Sequence, residues 1–377
     1  MADRIPLYDT SQPDDVERLG RDLERAYDIA ARAIPAPVAV GDDEDEDEDT
    51  EGEVTAATDI AIPDFSDLIG IDPSVRRQIE AALRAGKRHL MLYGPPGTGK
   101  TEIARRLGGL LASRWKLITG SADWSSQDII GGYQPIGDGK IGFVPGVLLQ
   151  NFDRPLIIDE LNRCDIDKVI GPLFTVLSGQ ASTLPYRAEV ADLESEQFVI
   201  LPHPKPGAPP HEYAPGPAWR LIATINSIDK ASLYQMSYAL ARRFGWIYVD
   251  APQDLDAFVV EFARRNAMLL IDPPAGAPTP LGALWRAIND VRVVGPAPII
   301  DLMRTAAILS PGVDFTVAPT PAERISYLDG IDLYLVPMLD GILSHEADAI
   351  AEAATAALGL AAEEAATLKR RLAALAI

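Results

Sequence analysis

Apolar positions three and four residues apart mark the first element. Val16, Leu19, Leu23, Ala26, Tyr27 and Ala30 share one face of a helix over residues 14–34. Pro35 and Pro37 stop it. A second helical stretch runs from Ser74 to Ala85. The pattern then shortens. His89 to Tyr93 is a brief apolar run, followed by a Gly/Pro loop and a helix from Lys100 to about Ser113. Lys116 to Thr119, Pro155 to Ile158 and Leu221 to Ile225 are further strand-like runs, with helical segments between them. Strands alternating with helices predict an α/β fold, a parallel sheet covered on both faces.

Three stretches depart from that alternation. Gly137-Asp138-Gly139 between Tyr133 and Phe143 is a hairpin signal within residues 131–146. Residues 202–217 hold seven prolines, too few donors for a central strand, and predict a surface loop. After Pro252 the periodicity is only helical, with Leu255, Phe258, Val259 and Phe262 on one face, which predicts a separate α-helical domain. The Ala-rich end, Glu346 to Ile377, strongly favours helix.

Composition narrows the class. A chain of 377 residues allows two to three domains at roughly 150 residues each. With 47% hydrophobic residues it can build a sizeable core. No apolar run reaches the length of a membrane helix, and Met1 to Arg4 leads into charged sequence without a signal-peptide core. One cysteine, Cys164, excludes an internal disulfide framework and suits a reducing cytoplasm. The formal charge is −21. Ten acids between Asp42 and Glu53 supply part of it and predict a solvated, extended tether. Without them the chain is still acidic, so it has no overall footprint for nucleic acid, although a local basic face in an assembly stays open.

The chemistry centres on Gly94-Pro95-Pro96-Gly97-Thr98-Gly99-Lys100-Thr101. Two glycines with four residues between them, then Lys and Thr, between a strand and a helix, form a P-loop. Its glycines let backbone N–H groups turn around phosphate oxygens, at the positive end of the following helix. Lys100 is expected at the β- and γ-phosphates, and Thr101 on Mg²⁺. Leu156-Ile157-Ile158 then runs into Asp159-Glu160, an apolar strand ending in two acids. Asp159 is expected to hold magnesium and Glu160 to polarise the attacking water. Asn226 ends another apolar strand, where a neutral amide can orient water. Arg242-Arg243 precede Phe244, and such a pair can reach a neighbouring copy's nucleotide as arginine fingers do. Cys164, just past the acids, reads as structural.

In order and spacing these elements resemble the AAA+ ATPases. Phe65-Ser66-Asp67-Leu68-Ile69-Gly70 is similar to the segment before the AAA+ P-loop whose backbone reads the base, which puts Ile69 and Gly70 among the nucleotide-binding residues. Tyr133 to Gly146 followed by Leu156 to Asn162-Arg163 looks like the signature of the MoxR and McrB branch (the dynein-related type). Ile222 to Asn226 and Leu240 to Phe244 are McrB-like, and Leu335 to Leu339 is so more weakly. The likeness covers residues 62–250 well, the lid loosely and the first 60 residues not at all. Lids of these families often carry an arginine after a Gly-x-x-Pro turn. Here Gly295-Pro296-Ala297-Pro298 is followed by Ile299, with Arg292 and Arg304 nearby.

The resemblance implies an ATP- and Mg²⁺-dependent hydrolase that assembles with itself, as a hexameric ring, and remodels or drives a partner protein. It implies no membrane partner, and nucleic acid only through a partner. The alternative is a nucleotide-dependent switch or scaffold that assembles an effector, with GTP in place of ATP as in McrB-type restriction systems. The expected division is an N-terminal helical segment at 1–40, an acidic linker at 41–61, an ATPase core at 62–250 and a helical lid at 251–377. No nuclease, protease or zinc motif is present, and His89, His203, His211 and His345 are scattered.

Overall fold

A five-stranded parallel sheet organises the first half of the chain, in the order β10-β1-β9-β5-β2. The computed structural model describes residues 65, 67–137, 139–171, 173–177, 179–226 and 241–377. The expected helix at 14–34, the acidic run, and the helical stretch at 231–240 lie outside them.

The expected strands are present as β1 (His89–Gly94), β2 (Lys116–Thr119), β5 (Leu156–Asp159) and β9 (Leu221–Asn226). A fifth, β10 (Phe244–Tyr248), follows the arginine pair and was not legible in the pattern. Its FGWIY sequence is short and mixes a glycine with aromatics, so no clean period shows. It pairs with β1 from His89↔Phe244 to Tyr93↔Tyr248. Helices α1 (Pro73–Arg84) and α2 (Lys100–Leu111) cover one face. Ile79, Leu83, Ile103 and Leu107 pack there against Leu90, Leu92, Ile157 and Ile222. The other face buries Met91, Ile158, Leu221 and Ala223 against α3 (Ser126–Ile129), α4 (Ile166–Ile170) and α5 (Leu173–Leu177), with the loops around them. Both faces of the sheet are thus apolar, which is why its strands read as continuous hydrophobic runs.

The hairpin forms as β3 (Gly131–Gly137) and β4 (Lys140–Pro145). The proline tract is not loop throughout. Glu212–Tyr213 (β8) is the edge strand of a second sheet with β6 (Ser182–Arg187) and β7 (Gln197–Ile200). Its two residues fall between Pro210 and Pro215, and an edge strand tolerates flanking prolines. Phe143, Tyr186, Phe198 and Tyr213 pack their rings where the hairpin meets this sheet.

From Leu255 onward the described elements are helical: α6 (Leu255–Arg265), α7 (Pro280–Val291), α8 (Pro296–Leu309), α9 (Pro321–Gly330), α10 (Ser344–Leu358) and α11 (Ala362–Ala373). The Ala-rich end is therefore two helices, broken at Gly359, whose φ of 62° caps α10. Trp285 and Tyr327 are fully buried in the centre of their core. Among the described residues no helix is long and apolar enough to cross a membrane.

His89 starts β1 as a buried residue. Its Nδ1 accepts the Leu221 N–H at 3.1 Å, which requires the unprotonated nitrogen. Burial, and then the nearby Arg220 and Arg88 charges, hold its pKa down at about 3. The folded chain therefore resists a proton that the unfolded chain accepts near pH 6.5, and stability falls on acidification below that value. Unfolding by urea at pH 5 should show about 2 kcal/mol less stability from this residue than at pH 7. His89→Gln should remove most of that difference; an unchanged pH slope would show that other groups carry it.

Candidate active site

All five strands point the same way, so their C-terminal ends share one edge. Gly94 of β1 stands level with Asn226 of β9, and β5 ends at Asp159, level with Thr224 and two residues short of Asn226. A cavity of about 690 Å³ opens above this edge. Its walls include Ile69, Gly97, Lys100, Thr101, Asp159, Glu160 and Asn226.

The loop after β1 wraps the lysine. Gly99 takes φ 88° as it turns into α2, a conformation that costs glycine nothing. Thr98 is buried and its hydroxyl donates to Pro95 O at 3.0 Å. The Lys100 ammonium donates to Gly94 O at 3.0 Å and Pro95 O at 2.5 Å. Burial lowers its pKa to about 8, and the Asp159 and Glu160 carboxylates pull it partly back. Gly94 and Pro95, expected as phosphate binders, thus serve as carbonyl acceptors behind the cavity, while Pro96, Gly97, Thr98, Gly99 and Thr101 line it.

The acids are held from two strands and a helix. Asp159 Oδ1 accepts the Thr101 hydroxyl at 2.6 Å and the Thr224 hydroxyl at 2.6 Å. Thr224 also accepts the Glu160 N–H at 2.9 Å. That bond helps hold Glu160 in the left-handed region at φ 52°, an uncommon conformation for a residue with a side chain. Its carboxylate is paired with Arg163 and lies 3.4 Å from the Asn226 amide. Sequence reasoning missed Thr224, whose β-branched side chain looks like any strand residue, and gave Arg163 no role.

The helical part closes a wall. Gly295 N–H donates to Pro96 O and Ala297 N–H to Gly97 O, both at 3.1 Å. A Cβ on Gly295 would lie 2.4 Å from the Gly97 carbonyl carbon, so only glycine allows this approach. Helix α8 starts at that point and places Ile300 and Arg304 on the cavity. The Arg304 guanidinium lies 5.7 Å from the Phe262 ring centre. Arg292, its alternative in sequence, donates to Met338 O at 2.8 Å and does not line the cavity. Ile69 lines it, whereas Gly70 sits behind, against Phe258 and Pro252.

Arg242 and Arg243 are not brought here. They enter β10 at the opposite edge of the sheet, with Lys87 donating to Arg242 O at 3.0 Å. Five strand residues at about 3.3 Å each separate the two edges. Cys164 is buried, its thiol donates to Leu161 O at 3.1 Å, and burial raises its pKa to about 11, which makes it inert.

The comparisons with known proteins agree with this geometry. Residues 89–244 match the AAA domain of the dynein-related subfamily. The Type IV methyl-directed restriction enzyme EcoKMcrB subunit of Escherichia coli is 30% identical over 189 residues, 46% of this chain and 37% of that one. An uncharacterized Mycobacterium tuberculosis protein is 47% identical over 64 residues, 16% and 12% of the two chains. The Holliday junction branch migration complex subunit RuvB of Nostoc punctiforme is 32% identical over 114 residues, 28% of this chain and 31% of that one. The matched stretches therefore span well under half of these relatives' lengths. Residues 89–244 thus match an AAA domain of the dynein-related subfamily, and part of the chain is similar to the McrB subunit.

Proposed function

We propose that the chain hydrolyses ATP at the interfaces of a ring of its own copies and uses the turnover to remodel or drive a partner protein. The observation that carries this reading is Asp159 taking the hydroxyls of Thr101 and Thr224 beside the buried Lys100. Oxygen donors from Thr101 and Asp159 converge where a hard cation is suited, so these two residues would hold Mg²⁺. Bound there, Mg²⁺ neutralises charge on the phosphate oxygens. Lys100 supplies the fixed charge for the β- and γ-phosphates once it exchanges loop carbonyls for phosphate. Glu160 takes the proton of the attacking water, and Asn226 positions that water through the carboxylate it touches. In this reading residues 62–250 are the catalytic core and 251–377 the lid, which packs its Gly295 turn on the loop.

Arg242 and Arg243 lie too far from their own cavity to act in it, which supports a role on a neighbouring copy. Both named relatives are subunits of larger assemblies, which supports work on a partner.

Nucleotide affinity should depend on the Lys100 charge. The free ammonium titrates near 8, and only its protonated form attracts phosphate. Titration with ATP and with GTP should therefore show affinity about tenfold weaker at pH 9 than at pH 7. Lys100→Ala should bind neither nucleotide tightly. A flat profile would remove Lys100 from the phosphate site, and binding of GTP alone would replace ATP by GTP.

Glu160→Gln should keep nucleotide affinity but lower turnover by about a hundredfold or more, since proton transfer contributes on that scale. Turnover close to that of the unaltered chain would sink its assignment.

Arg243→Ala should lower turnover by about a thousandfold without loss of nucleotide binding. Mixed with Lys100→Ala it should regain activity, because some interfaces then join an intact arginine to an intact loop. Mixed rings that form yet stay inactive would exclude a shared site; Arg242→Ala tests the alternative residue.

A further inference from the structure

The edge opposite the cavity has its own pattern. Each of the five strands is entered through an arginine. Arg243, Arg88 and Arg220 immediately precede β10, β1 and β9, and the registers His89↔Phe244 and Leu90↔Ile222 set the three level with one another. Arg154 and Arg114 stand two residues before β5 and β2, again level through Lys116↔Leu156. Five neighbouring strands at about 4.8 Å spacing make this row roughly 19 Å long.

The charge of the row is poorly compensated. Arg88 and Arg220 take part in no salt bridge among the described residues; Arg154 pairs with Asp153, whose carboxylate also feels the Arg114 charge, and Arg243 has a contact of its own. Arg88 and Arg220 both donate to one carbonyl, Pro217 O, at 3.3 and 2.8 Å. Arg220 donates as well to Trp219 O at 2.7 Å, so the two guanidinium groups meet only neutral carbonyls, and burial and the Arg88 charge bring the Arg220 pKa down to about 10. In a chain of net charge −21, such a concentration of like charge favours a polyanion over solvent. Guanidinium forks suit phosphate oxygens.

One exposed aromatic residue stands in the row. Trp115, between Arg114 and Lys116, is 37% exposed, whereas Trp219 and Trp285 are buried. A base can stack on an exposed indole only where it is free of a duplex, and stacking beside a basic groove is how single strands are held.

We propose that this edge binds single-stranded nucleic acid, its phosphates along Arg88, Arg220, Arg154 and Arg114 and a base on Trp115, with Arg243 left to the neighbouring copy's cavity. The site is separate from the nucleotide cavity and does not depend on hydrolysis. The spacing suits three or four phosphates and no particular sequence.

The test uses the full chain without nucleotide and a labelled twenty-residue oligothymidylate. Binding at 50 mM salt should weaken with a log–log salt slope of about −2 to −3, from roughly 0.7 per phosphate contacted. Arg88→Gln with Arg220→Gln should weaken it about tenfold or more and make the slope shallower, while Arg88→Lys with Arg220→Lys, which keeps the charge, should retain most of it. Trp115→Ala should weaken it about tenfold, the scale of one lost stacking contact. The unaltered chain should also lose tryptophan emission on binding, and Trp115→Ala should not. Absence of salt-dependent binding would overturn the proposal. So would binding that ignores all three substitutions, or a duplex bound as tightly as the single strand. If the Gln pair changes only the assembly state of the chain and not oligonucleotide binding, the row serves contact between copies and the proposal fails.

Discussion

All five strands of the main sheet run in one direction, and the placement of the chemistry follows from that. A parallel strand must return by a crossover, so loops that leave the strands collect on one edge and loops that enter them on the other. The leaving edge receives Gly94, Asp159 and Asn226. The entering edge receives the arginines. An antiparallel sheet of the same residues would interleave acids and bases at both edges and would hold neither this cavity nor a basic row.

Within the cavity the decisive feature is the sharing of one carboxylate. Asp159 receives hydroxyls from a helix and from a neighbouring strand, so α2, β5 and β9 are tied at a single atom. Thr224 then relays to the Glu160 backbone. The strained conformation of Glu160 is held by its surroundings rather than by its own preference, which is how local strain persists at a working site. Lys100 is handled differently. It is buried without a carboxylate in hydrogen-bond contact, and loop carbonyls stabilise its charge only in part, so its proton is loosely held.

The helical part bears on this site through two backbone hydrogen bonds from residues 295 and 297 to the loop. Backbone contacts carry no side-chain signature. That explains why the sequence showed a Gly-x-x-Pro turn without an arginine behind it, yet the structure still brings Arg304 to the wall from the same helix, two turns further along.

Much of the edge that carries the cavity was legible before any coordinates, because its residues are dictated locally. A phosphate loop needs glycine, lysine and threonine in fixed order, and a buried parallel strand needs an unbroken apolar run that ends in its polar residue. Those demands marked residues 94–101, Asp159-Glu160 and Asn226. The sequence alone also determined the α/β core and the all-helical remainder. What only the tertiary structure decided are relations between distant segments: the fifth strand, the edge strand at Glu212–Tyr213, the threonine that joins Asp159 to Glu160, and the alignment of five arginines on one edge. Each arginine is unremarkable in sequence, and neighbours in the row stand 40 to 155 positions apart. They form a row because strand order and register bring their starting points together, and neither is written in any local stretch of the chain.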